Sequence, residues 1–170
     1  MENPKTRVVS AIVENKPGVL HNIANLFRRR NFNIESITVG PTETPDLARI
    51  TITVNADEKT LDQVVKQLDK IVDVVKVAEL EFDNTVTREL ALIKVNVPSA
   101  KERADVISCV HVFRGRVVDV SPDSLMVEIT GSSDKIDAFL NLMKTMGVIE
   151  IARTGITALS RGAKSVKIDE

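Results

Sequence analysis

Within this 170-residue chain, the residue types best suited to chemistry lie in Val13-Glu14-Asn15-Lys16-Pro17-Gly18-Val19-Leu20. A strand pattern gives way there to a helical one, so the segment opens a helix. Free N–H groups at a helix start attract anions, and the helix dipole contributes roughly 0.3–1 kcal/mol for a nearby negative charge. Gly18 lets a carboxylate approach the backbone with no Cβ in the way. Asn15 offers an amide oxygen to an ammonium group, and a second amide, Asn33, opens the next strand pattern in Asn31-Phe32-Asn33-Ile34-Glu35. The same residues also read as plain structure, with Asn15 capping the helix, Pro17 in its first turn and Gly18 easing the bend. Spacing alone leaves both readings open.

Other chemistries find no support. No Walker loop or Gly-x-Ser-x-Gly elbow is present, and no Ser or Cys is arranged beside a His base, so no catalytic residue is assigned. His21 and His111 have no second ligand at metal-binding spacing. Cys109 falls on an apolar helix stripe and reads as packing. Arg28-Arg29-Arg30 ends a helix, where cations suit the dipole and can donate to free carbonyls. Carboxylates such as Asp62, Asp69 and Asp73 read as solvated charges.

Composition narrows the partners. The net charge is −1, from 23 basic and 24 acidic residues, which argues against a nucleic-acid partner that would need phosphate neutralisation. Aromatic residues make up only 3%, leaving little surface on which bases could stack. No apolar run approaches the roughly 18 residues of a membrane span, and the polar amino-terminal residues do not resemble an export signal. A single cysteine fits a reducing compartment, so a cytoplasmic protein is expected.

The elements that must position the loop repeat. Leu20/Ile23/Ala24/Phe27, Leu61/Val64/Val65/Leu68, Val106/Cys109/Val110/Phe113 and Ile136/Phe139/Leu140/Met143 each follow the i, i+3, i+4, i+7 rule of a half-buried helix. Asp57 precedes the second helix, Ser99 with Glu102 makes a capping box before the third, and Ser132 or Ser133 can cap the fourth. Strand patterns fit Val8–Val13, Ile34–Val39, Ala48–Val54, Val74–Leu80, Ala91–Val97, Val117–Val120, Leu125–Ile129 and Val148–Ile156. The order is βαββαβ twice, joined near Asp83–Arg88. This predicts an α+β protein of two ferredoxin-like domains, 1–82 and 88–162, with a tail at 163–170. Such small domains leave one sheet face bare, to be covered by the other half or another subunit. The loop before the third helix, Val97-Pro98-Ser99-Ala100-Lys101-Glu102, has no glycine and fills its helix start with its own cap.

Glu14-Asn15-Lys16-Pro17-Gly18-Val19-Leu20 and Leu26-Phe27-Arg28-Arg29-Arg30-Asn31-Phe32-Asn33-Ile34-Glu35-Ser36-Ile37-Thr38-Val39 resemble the ACT domain of the regulatory (small) subunits of acetolactate synthase. The resemblance continues through Arg88-Glu89-Leu90-Ala91, Phe113-Arg114-Gly115 and Ser133-Asp134-Lys135. It closes on Ala152-Arg153-Thr154-Gly155 and Leu159-Ser160-Arg161-Gly162, covering essentially the whole chain. It implies a subunit without catalysis or cofactor of its own. Its partner would be the large catalytic subunit, which uses thiamine diphosphate, magnesium and FAD to make acetolactate. It also implies feedback by a branched-chain amino acid, usually valine, held between two copies of a homodimer. Asn15, Gly18, Val19 and Leu20 match the family's effector loop, Asn33 and Ile34 the facing strand of the neighbouring copy, and Gln63 a position of the effector response. An amino-acid sensor acting on transcription is the alternative, and the lack of a basic surplus or helix-turn-helix weighs against it.

Overall fold

In the computed structural model, which describes residues 5–166, the first half runs β1 (Lys5–Glu14), α1 (Val19–Arg30), β2 (Ser36–Pro41), β3 (Leu47–Ala56), α2 (Glu58–Leu68) and β4 (Val74–Leu80). A 3-10 turn at Phe82–Asn84 leads to β5 (Thr85–Asn96), α3 (Ala100–Val112), β6 (Arg116–Val120), β7 (Ser124–Gly131), α4 (Ser133–Lys144), β8 (Val148–Arg153) and β9 (Thr157–Ser160). The first sheet is antiparallel in the order β2-β3-β1-β4. The second repeats it as β6-β7-β5-β8, with β9 pairing β5 off that path. Both orders are the split βαβ arrangement expected from two βαββαβ runs.

Amphipathic helices cover one face of each sheet. In the first half Val9, Ala11, Val13, Ile50, Ile52 and Val54 pack against Val19, Ile23, Phe27, Leu61, Val64 and Leu68. The α1 stripe is therefore Val19/Ile23/Phe27; Leu20 and Ala24, which fit the expected periodicity, face out. Asn31 ends α1 in the left-handed region (φ 55°), with its N–H donating to Arg28 O and that of Phe32 to Phe27 O. Phe32 then packs edge-on to Phe27 at 6.2 Å, completing a Schellman turn that delays β2 to Ser36. In the second half Ala91, Ile93, Val95, Leu125, Val127 and Ile129 pack against Val106, Val110, Ile136, Phe139, Leu140 and Met143. Cys109 sits partly buried against that core, in keeping with a packing role.

The compact units do not divide where the repeats do. Residues 5–86 group with 156–166, and Thr87–Gly155 forms the second unit. The expected Val148–Ile156 strand ends at Arg153, β9 follows beyond it at Thr157–Ser160, and the segment from Ile156 groups with the first compact unit. The cause is apolar burial. Every residue from Val8 to Val13 is buried, as in a strand covered on both faces. On the face away from the helices, Val8, Ile12 and Leu80 pack with Ile156, Ala158 and Val166. That returning segment covers much of what the bare first sheet would expose.

Candidate functional site

At the end of β1 the backbone is pinned from two sides. The Glu14 N–H donates to Asp73 O (2.9 Å) and the Asn15 N–H to Asp46 O (2.7 Å). Gly18 starts α1 at φ 94°, and its carbonyl accepts from the Asn22 N–H at 3.0 Å. A Cβ there would meet nothing within 4 Å, so glycine is favoured by the left-handed backbone and not by crowding. No side chain caps the helix, which removes the reading of Asn15 as an N-cap. Asn15 is exposed beside the first turn, Val19 is buried beneath it, and Leu20 is 48% exposed above it. A helix start left open in this way can receive an anion.

Asp73 holds the loop, and it is not the solvated charge expected of it. It lies buried in the turn before β4. Its carboxylate pairs with Lys16 Nζ (2.8 Å) and accepts from Asn22 Nδ2 (3.0 Å), while Lys16 also pairs with Glu14. The hydrogen bonds from Lys16 and then Asn22 hold the Asp73 carboxyl below its ordinary range. The same bond to Asp73, followed by that to Glu14, raises the Lys16 ammonium above the usual lysine range. Only the tertiary approach of α1 and its preceding loop buries this carboxylate, so no local pattern announces it.

Asn33 and Ile34 lie elsewhere. Asn33 is exposed, with Nδ2 donating to Glu35 Oε1 at 2.9 Å, and Ile34 is half-buried against the first core. Ser36 stands opposite Thr53, which stands opposite Val8. The start of β2 is thus level with a point on β1 about 20 Å before the loop, at the rise of a β-strand. One copy of the chain does not bring the two asparagines together. Gln63 is exposed on α2. Arg30 at the end of α1 donates to Gln67 Oε1 (3.1 Å), Arg29 to the Asn25 carbonyl (3.3 Å), and His21 shares a hydrogen bond with Asn25 (2.7 Å). Among the described residues no three His, Cys, Asp or Glu side chains converge as a metal site would require. No helix among them is long and apolar enough to cross a membrane.

The second half closes its equivalent helix start. Ser99 accepts from the Glu102 N–H, and Glu102 accepts from the Ser99 N–H at 3.0 Å. Glu89, missed in the sequence, is buried in β5. It accepts from Ser133 Oγ and pairs with Arg153, whose Nη1 also donates to Asp137 Oδ1 at 2.6 Å. Burial works to lower the Arg153 pKa, but the hydrogen bonds to Glu89 and Asp137 outweigh it and raise it.

Comparison with known proteins accounts for both halves. Residues 9–76 match the ACT domain model of acetohydroxyacid synthase small subunits, and residues 88–162 match the model for the small subunit of acetolactate synthase. The chain belongs to the acetolactate synthase small subunit family. A probable acetolactate synthase small subunit from Methanothermobacter thermautotrophicus is 55% identical, over 96% of this chain and 97% of that protein. The acetolactate synthase small subunit of Mycobacterium bovis is 48% identical over 96% and 97%. The crystal structure of the acetolactate synthase small subunit from Thermotoga maritima superposes with a TM-score of 0.88 at 47% identity, covering 94% of this chain and 99% of that one. Three sequence segments that carry the small subunit resemblance, around Glu89, Ser133 and Arg153, meet in the buried charge cluster of the second unit.

Proposed function

We propose that this chain is the regulatory subunit of an acetolactate synthase, activating a large catalytic subunit and making it sensitive to a branched-chain amino acid, valine first. The observation that carries the reading is the open helix start at Gly18, in a family of small subunits. The amino acid carboxylate meets the N–H groups of Gly18, Val19 and Leu20, and its ammonium meets the Asn15 oxygen. Thiamine diphosphate, magnesium and FAD belong to the catalytic partner in this reading, and the chain contributes no catalytic group.

A homodimer completes the site. β2 is a free sheet edge, and Ile37 and Val39 on it are exposed. Edge strands pair readily with a second chain. Two β2 strands pairing antiparallel about a two-fold axis carry the start of one to the far end of the other. Asn33 and Ile34 of the second copy then stand at the open loop, supplying an amide oxygen and an apolar wall. Gln63 takes part in the response to the effector rather than in the contact. Ordering such an interface by ligand supplies a coupling of about 1–3 kcal/mol, the usual size of an allosteric effect.

The test is reconstitution. The purified chain with pyruvate and all three cofactors should form no acetolactate, yet raise the rate of its large subunit and confer inhibition by valine. Turnover by the chain alone, or no effect on the large subunit, overturns the reading. Asn15→Ala should weaken valine binding about tenfold, as expected for losing one hydrogen bond to a charged group, and leave activation intact.

A further inference from the structure

The first sheet carries a cavity on the face away from α1 and α2. Thr38 stands opposite Thr51, and Thr51 opposite Ser10, so a row of hydroxyls crosses three strands. Arg49 lies over this row, donating from Nη1 to Ser10 Oγ (2.9 Å) and from Nη2 to the Val166 carbonyl (3.0 Å). The returning segment Thr157–Val166 passes above and leaves a cavity of about 760 Å³. That volume lies within the range of small-molecule sites.

The lining selects a ligand class. Leu80, Ala158, Leu159 and Val166 give it apolar walls. The Thr38 hydroxyl, also in the lining, is shut off from solvent and has no hydrogen-bond partner among the described residues. An unmatched buried hydroxyl is costly, so a ligand that accepts from it is favoured. The Arg49 guanidinium presents five N–H donors, of which two are engaged in the bonds above. The lining also holds Glu43 and Lys164, the latter paired with Glu81 (3.8 Å), so Arg49 is the cation placed over the hydroxyl row.

We propose that this cavity binds a small aliphatic carboxylate, at a site separate from the Asn15–Leu20 loop. The carboxylate takes the guanidinium of Arg49, the Thr38 hydroxyl donates to it, and the carbon skeleton displaces water from the apolar walls. A phosphate would place more charge against those walls than one guanidinium matches. An amino acid would bring an ammonium group toward the same guanidinium. The occupant is therefore an organic acid without an amino group, a different class from the effector at the loop.

Calorimetry on the full chain with 3-methylbutanoate, 4-methylpentanoate and the uncharged 4-methylpentan-1-ol tests this. Both acids should bind saturably, the longer about fourfold more tightly for its extra buried methylene. The alcohol should bind at least tenfold more weakly than the acid of the same skeleton. Thr38→Val keeps the side-chain shape and removes the unmatched hydroxyl. It should melt no lower than the unaltered chain while binding 4-methylpentanoate about tenfold more weakly, an opposition that a purely structural role would not give. Arg49→Gln should abolish binding; should that variant fail to fold, Thr38→Val decides alone. Asn15→Ala should bind the acids unchanged. No saturable binding, equal affinity for acid and alcohol, full affinity in Thr38→Val, or loss of binding in Asn15→Ala would each overturn the proposal.

Discussion

Two strand-to-helix junctions occupy the same place in the two halves, and their backbones are pinned alike. Glu14 N–H reaches Asp73 O and Asn96 N–H reaches Gly147 O, each at 2.9 Å. Asn15 N–H reaches Asp46 O and Val97 N–H reaches Asp123 O, each at 2.7 Å. From there the side chains diverge. The first junction is braced from the side, by Asp73 holding Lys16 and Asn22, and its helix start stays open. The second is closed by the Ser99–Glu102 box and braced by Arg103, which donates to the carbonyls of Ser121 and Pro122. A duplicated frame can thus give the same N–H groups to a ligand in one copy and to its own side chains in the other.

The largest effect should come from making the first junction like the second. Gly18→Ser with His21→Glu offers a Ser-x-x-Glu pattern at the α1 start, and closing the box requires residue 18 to leave φ 94° for the extended region that Ser99 occupies, so the variant also strains the turn. Valine binding should fall below calorimetric detection; retained affinity would show that the open turn is not where the effector sits. The second half should depend instead on its interior. Glu89→Gln leaves Arg153 with Asp137 alone, and urea denaturation should register a loss of about 2 kcal/mol with valine affinity unchanged. Ser99→Ala removes the cap and should cost about 1 kcal/mol in the same assay, again without touching effector binding.

The smallest effect, and the one that depends on pH, concerns Asp73. Its carboxyl is held below its ordinary value in the folded chain. The stability it contributes is therefore present above the unfolded carboxylate pKa, near 4, and is lost as pH falls through the lower folded value. Asp73→Asn should destabilise the chain at pH 7, and the difference should shrink as pH falls below about 4. A difference that persists in acid would mean that shape, not charge, is what Asp73 supplies.

The repeats, both βαββαβ orders and the capping box at Ser99 were legible because each is local. Periodicity also announced the buried helix stripes, but in α1 it fits two neighbouring registers. Packing against the sheet takes Val19, four residues before Ile23, and leaves Leu20 outside. The unbroken apolar run Val8–Val13 signals a strand covered on both faces without naming the cover. Ile156, Ala158 and Val166 supply it from far along the chain, with nothing in their spacing to say so. Asp73 reads as solvated, and Glu89 has no assigned role, for a related reason, since an isolated carboxylate gives no local sign of the distant partners that enclose it. An open turn at Gly18 is one of two readings that the spacing allows, whereas the cavity over Thr38 depends on the returning segment and has no local signature.

That returning segment also orders events during synthesis. Val8 and Ile12 emerge early, and the Ile156, Ala158 and Val166 that cover them follow at the ribosome's pace of roughly 5–20 residues per second. For something on the order of ten seconds an apolar strip on the nascent first unit lies open to solvent and to any chaperone nearby. The second unit, continuous from Thr87 to Gly155, needs no such wait. The half of the molecule that is made first is the last to be finished.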